Sequence, residues 1–110
     1  TALGTSACEE WLDTTLDRHQ LSPYFDHIVS VDHLPEKRAK PHPDIFLYCA
    51  EKLKISPENC LVIEDSDKGI SAGKQAGMTV FAFRSEHNTD RDLSEADEIF
   101  TDFKALQKRM

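Results

Sequence analysis

This 110-residue chain has no apolar run that approaches the length needed to cross a bilayer, and no signal-peptide pattern opens it. Basic charge is scarce. Thirteen Lys and Arg stand against twenty Asp and Glu, for a formal net charge of −7. Nucleic acids and anionic membranes bind basic surfaces, so neither is expected as a partner. The cysteines Cys8, Cys49 and Cys60 are odd in number and show no C-x-x-C spacing. They read as reduced, buried residues of a cytoplasmic protein. No two of the five histidines stand at a metal-binding i, i+4 spacing, which argues against structural zinc. There is no internal repeat and no low-complexity segment.

What is present is ordinary globular material, 39% apolar and 30% charged, enough for one compact domain over residues 1–110. Strand and helix patterns alternate. Residues 1–5 read as the end of a strand, and Ser6 can cap a helix whose apolar stripe runs from Cys8 through Trp11, Leu12 and Leu16. His27–Val31 reads as a strand. After a polar loop, Pro43 suits the first turn of a helix that turns Ile45, Phe46, Cys49, Ala50 and Leu53 inward. Cys60-Leu61-Val62-Ile63 reads as a strand buried on both faces. A helix follows from Asp67 to Ala76, with Gly77 as its left-handed cap. Met78–Phe83 is a further strand, Glu98–Phe100 a short edge strand, and Asp102 or Thr101 caps a terminal helix with Phe103 and Leu106 inward. Alternation of this kind predicts a layered α/β fold with parallel strands joined by right-handed crossovers.

Three features at strand ends could carry chemistry. Glu64-Asp65 closes the Cys60–Ile63 strand. Two adjacent carboxylates beside a buried strand imply a cation or a hydrogen-bond network, and hard carboxylate oxygens suit Mg²⁺ completed by water and a substrate phosphate. Asp67 stands close enough to assist, while the plainer alternative has Asp65 or Ser66 capping the next helix. Lys40 precedes Pro41-His42-Pro43, a stiff backbone that could present a fixed positive charge; the alternative is one more solvated lysine. Thr5-Ser6 joins a strand to a helix start, which suits either a phosphate oxygen or a simple cap. Gly69-Ile70-Ser71-Ala72-Gly73-Lys74 is one residue short of a P-loop and lies inside a helix, so its glycines read as close-packing positions.

Taken together, these residues resemble the haloacid dehalogenase superfamily, in its phosphatase and β-phosphoglucomutase-like branch. Lys40-Pro41-His42-Pro43-Asp44-Ile45-Phe46 resembles the family's lysine motif. Leu61-Val62-Ile63-Glu64-Asp65-Ser66, with Gly69-Ile70 and Ala76-Gly77-Met78, resembles its acidic motif, and Thr5-Ser6 its threonine/serine motif. The resemblance implies a three-layer Rossmann-like core in which Thr5 and the Ser6 backbone hold a phosphoryl oxygen. It implies that Lys40 neutralises the nucleophile and the transferring group, and that Glu64 and Asp65 hold Mg²⁺ directly or through water, Asp65 being the safer of the two as a direct ligand. The implied activity is a Mg²⁺-dependent phosphohydrolase acting on a small phosphorylated metabolite.

One departure is large. The family's nucleophile is the first aspartate of an Asp-x-Asp motif ending a strand central to the sheet. Neither Asp-x-Asp here ends an apolar strand: Asp65-Ser66-Asp67 belongs to the acidic motif, and Asp90-Arg91-Asp92 lies in the polar segment 86–95. The nucleophile strand and the substrate-selecting cap are therefore expected in a missing N-terminal half of the same protein, and the isolated chain is expected to be inactive. Without that strand, its two neighbours either pair directly or leave open edges. A β-phosphoglucomutase-like phosphomutase, or a non-catalytic phosphate- and Mg²⁺-binding fragment that complements another chain, are the alternatives.

Overall fold

The computed structural model describes residues 2–5, 16–18, 20, 23, 26–34, 36 and 38–109, with backbone only for Thr5 and Val31. In chain order the elements are β1 (Ala2–Thr5), β2 (His27–Ser30), a 3₁₀ turn (Val31–His33), α1 (Asp44–Leu53), a 3₁₀ turn (Pro57–Asn59), β3 (Leu61–Glu64), α2 (Asp67–Gln75), β4 (Thr79–Phe83), β5 (Glu98–Phe100) and α3 (Phe103–Arg109). Every strand pair is parallel, as the alternation of strands and helices predicts. The strands form two sheets, however. β1 pairs only with β2, and β3, β4 and β5 pair in that order. Among the described residues no ladder joins β1 to β3, so both present an open edge.

The two sheets share one core. α1 starts from Pro43, whose ring presets a helical backbone, and ends at Lys54 in the left-handed region at φ 58°. Its Ile45, Phe46, Cys49 and Ala50 are buried, forming the stripe that the sequence pattern predicts. α1 packs on β1 and β2, and its buried residues join Val29 with Val62, Ile70 and Val80 in one cluster. Gly4 permits the approach to β1, because a Cβ there would stand 3.2 Å from both Cys49 Sγ and Ile45 Cγ1.

α2 has clear boundaries at both ends. Ser66 caps its start by accepting the Gly69 N–H at 3.0 Å. At its end Gly77 takes φ +80°, the Gly77 N–H donates to Lys74 O, and the Met78 N–H donates to Gly73 O, which is the Schellman arrangement. Gly73 lets the helix lie directly on the sheet, since a Cβ would fall 2.6 Å from Val80 Cγ2. Asp97 ties this layer together. It takes Lys74 Nζ at 2.8 and 2.9 Å and the Val80 N–H at 2.7 Å, while its own N–H donates to Val80 O.

Three expectations are corrected. β3 is not buried on both faces: Val62 is, but Leu61 is 39% and Ile63 45% exposed. The reason is topological, because β3 lies at a sheet edge and nothing among the described residues covers that side. Phe103 does not point inward; it is 70% exposed and stacks its ring on Phe83 at 4.0 Å, while Leu106 alone anchors α3 in the core. β2 ends at Ser30, where the backbone enters the 3₁₀ turn. The helix expected after Ser6 is described only at residues 16–18, which are helical with Leu16 buried; its start lies outside the described residues. No described helix is long and apolar enough to cross a membrane.

Candidate phosphoryl-transfer site

Glu64 is the last residue of β3, and its side chain has a prepared seat. It lies over Gly69 in the first turns of α2, where a Cβ would coincide with the carboxylate. Gly69 thus makes room for an acid, whereas Gly73 allows helix–sheet packing. Ser66 donates its hydroxyl proton to Glu64 Oε2 at 3.0 Å while its oxygen accepts the Gly69 N–H. The cap and the acidic site are therefore one arrangement rather than competing alternatives.

Lys40 reaches the other Glu64 oxygen. Its Nζ stands 2.9 Å from Oε1, with the two side chains 13% and 12% exposed. The ammonium also lies over the Phe46 ring, 5.0 Å from its centroid. The loop carrying it is tied to α2, because Gln75 Nε2 donates to Pro41 O at 3.1 Å. So Lys40 is not one more solvated lysine. Two charges withdrawn from water require each other, and the pair fixes where the ammonium stands.

Asp65 differs from its neighbour. It is exposed, and among the described residues its carboxylate has no hydrogen-bond or ion-pair partner. Its backbone is held instead: the carbonyl accepts Asn88 Nδ2 at 2.8 Å. Asp67, the possible assistant, accepts its own neighbour's N–H from Lys68 at 2.9 Å and pairs with Arg91 at 3.3 Å. Among the described residues no group of three or more His, Cys, Asp or Glu could hold a metal. Asp65 supplies one free hard carboxylate, and Glu64 a second whose oxygens are engaged by Lys40 and Ser66. That donor set fits Mg²⁺ only as a partial site, in the manner of an ion that keeps most of its waters.

Thr5 closes β1, in register with Ser30 of β2. Its side chain, and Ser6 altogether, lie outside what is described. Between the open edges of β1 and β3 runs a cleft of about 330 Å³. Leu3 and Gly4 line it from β1, Leu61 and Ile63 from β3, and Phe46 from α1, while Glu64 stands at the end of its β3 wall. Cys49 also faces it, and burial pushes that thiol up to about 11. Sequence reasoning did not find Asn88 or the seating role of Gly69. Both act through contacts with the acidic motif that no local pattern announces.

The family model of haloacid dehalogenase-like hydrolases matches residues 1–83. The chain is 42% identical over 77 residues to the fructose-1-phosphate phosphatase of Escherichia coli, covering 70% of this chain and 40% of that enzyme. Its backbone superposes with a TM-score of 0.87 on a family hydrolase from Deinococcus radiodurans solved with bound phosphate and sodium; identity is 30%, and the match covers 98% of this chain and 50% of that one. A β-phosphoglucomutase from Clostridium difficile matches with a TM-score of 0.69 and 30% identity, over 87% of this chain and 43% of that one. The chain thus spans about half the length of such relatives or less. The family model covers residues 1–83 of the 110, and the parallel α/β layers agree with the solved relatives: the chain belongs to the haloacid dehalogenase-like hydrolases.

Proposed function

We propose that this chain is the part of a Mg²⁺-dependent phosphohydrolase that supplies the cationic and metal-holding side of the site, acting on a small phosphorylated metabolite. The observation that carries this reading is the contrast between the two acids. Glu64 fixes a lysine, and the Asp65 carboxylate beside it has no partner among the described residues. Phosphoryl transfer consists mainly of positioning and charge neutralisation, and this cluster provides both. Lys40, held by Glu64, would offset negative charge on the attacking carboxylate and on the transferring group. Thr5 and the Ser6 backbone would hold a phosphoryl oxygen. Asp65 would be the direct metal ligand, with Glu64 reaching the ion through water. Held by these acids, a magnesium ion would supply neutralisation of phosphate charge.

The attacking aspartate would come from a strand outside the chain, seated in the cleft between β1 and β3. Two parallel edges with unpaired backbone, apolar walls and an acid at the rim are what such a strand would require. It would join the two sheets into one and cover Leu61 and Ile63. The likeness to a fructose-1-phosphate phosphatase makes a sugar phosphate the first substrate class to test. The phosphomutase alternative has the same cluster and differs in parts outside this chain.

The test uses an aryl phosphate and a sugar phosphate with the 110-residue chain alone and with the chain joined to a preceding Asp-x-Asp strand and cap. Mg²⁺-dependent release of phosphate is expected only from the joined protein, with a loss of about a hundredfold or more on Asp65→Asn or Lys40→Ala. Full turnover by the isolated chain would overturn the need for an outside nucleophile. An active Asp65→Asn variant would remove the metal assignment.

A further inference from the structure

We propose that Asn88 is a positioning residue for the Asp65 carboxylate, an assignment that rests on reading Asp65 as the metal ligand. Asp65 lies between the end of β3 and the start of α2, so neither ladder nor helix holds its carbonyl. Asn88 does. It is only 6% exposed, in a stretch of otherwise polar, mostly exposed loop. Its amide nitrogen donates to Asp65 O and to Phe83 O, both at 2.8 Å, and its amide oxygen accepts the Ser85 N–H at 2.7 Å. Both donors and the acceptor are used, so the side chain rivets the acidic loop to the end of β4.

The rivet is itself anchored. Arg84 extends β4 and donates to the carbonyls of Asn88, Thr89 and Arg91 at 3.1, 3.3 and 3.1 Å. Arg91 then pairs with Asp67 at the start of α2. The segment 84–91 therefore grips the acidic loop on both sides of Ser66, through the Asp65 backbone and the Asp67 side chain. Neither contact uses the Asp65 carboxylate. A ligand held this way keeps its backbone fixed and its oxygens available, which is what an outer-shell support provides.

Two variants separate positioning from a purely local role. Asn88→Ala removes all three bonds. Asn88→Asp keeps an oxygen for the Ser85 N–H but sets carboxylate oxygens against the two carbonyls. The first measurement is amide order by nitrogen-15 relaxation in the 110-residue chain. Both variants should lower order at Asp65 and Ser66 from about 0.85 toward 0.6, with β4 and α2 unchanged. The second is Mn²⁺-induced broadening of the same amides, whose midpoint should rise about tenfold in both variants. If Asn88→Asp leaves Asp65 as ordered as in the parent, Asn88 serves only its own loop and the proposal is overturned. A drop in melting temperature without a change at residues 65 and 66 overturns it as well. The metal reading fails separately, if Mn²⁺ does not broaden these amides or if Asp65→Asn leaves the broadening intact. The order values decide the Asn88 assignment in either case.

Discussion

The two sides of β3 show opposite solutions to one problem. On the α2 side, Val62 and Val80 meet a helix that has given up a side chain at Gly73 to come closer, and the Asp97 latch locks the register. On the other side, Leu61 and Ile63 face an open cleft, and the backbone edge has no partner among the described residues. The same strand is thus sealed on one side and unfinished on the other. A residue's apolar character therefore predicts its contribution to stability only once its side of the sheet is known.

Two isoleucines provide the widest separation between the sides. Ile70 is fully buried on the inward face of α2, whereas Ile63 lines the cleft. Ile70→Ala should cost about 2–5 kcal/mol and Ile63→Ala less than about 1, read from urea midpoints at unchanged slope. Equal losses would mean that the cleft is closed in solution.

Next in size is the Lys40–Glu64 pair at the rim. Lys40→Ala leaves a largely buried carboxylate with one partner fewer, at a cost of about 1–3 kcal/mol. A double-mutant cycle with Glu64→Gln should return a coupling of about 1 kcal/mol or more, and additive losses would show that the two charges do not depend on each other.

The two helix glycines come third. Propensity alone would make Gly→Ala stabilising inside α2 by about 1 kcal/mol. Here both changes should destabilise, for different reasons. Gly73→Ala pushes on Val80, so thermal unfolding should shift down while the Lys40 ammonium keeps its NMR position. Gly69→Ala displaces the Glu64 carboxylate, so the Lys40 resonance should move. A stability gain in either variant would show that the approach is looser than described.

The smallest effect concerns pH. The Lys74 ammonium, and then the Val80 N–H, hold the Asp97 carboxyl below the usual carboxylate range. A depressed acid contributes stability above its unfolded value, near 3.9, and loses it as pH falls through the lower folded value. The pair is more than a third exposed, so Asp97→Asn should cost at most about 1 kcal/mol at neutral pH. Parent and variant stabilities should converge in the acid limb below about pH 4; a constant gap down to pH 2 would assign the effect to the neutral hydrogen bond instead.

How far the sequence could be read depends on the range of the forces involved. The Ile45–Ala50 stripe, the Gly77 cap, the Ser66 cap and the β3–α2–β4 alternation are local, set by side-chain period and by backbone preferences within a few residues. So was the presence of acids at the end of β3. The division of labour between Glu64 and Asp65 was not local. It depends on a lysine 24 positions away in sequence, on a glycine that clears space, and on an asparagine 23 positions downstream.

By itself, then, the sequence determined the order of elements, their caps, the helical core stripe and the three motifs at strand ends, because each arises from neighbours along the chain. Only the tertiary structure decided that β1 and β3 do not pair, that half of an apolar strand faces a cleft, and which acid is bound and which has no partner among the described residues. Those outcomes follow from which backbone edges and side chains meet across the sheet, and spacing along a chain does not encode that.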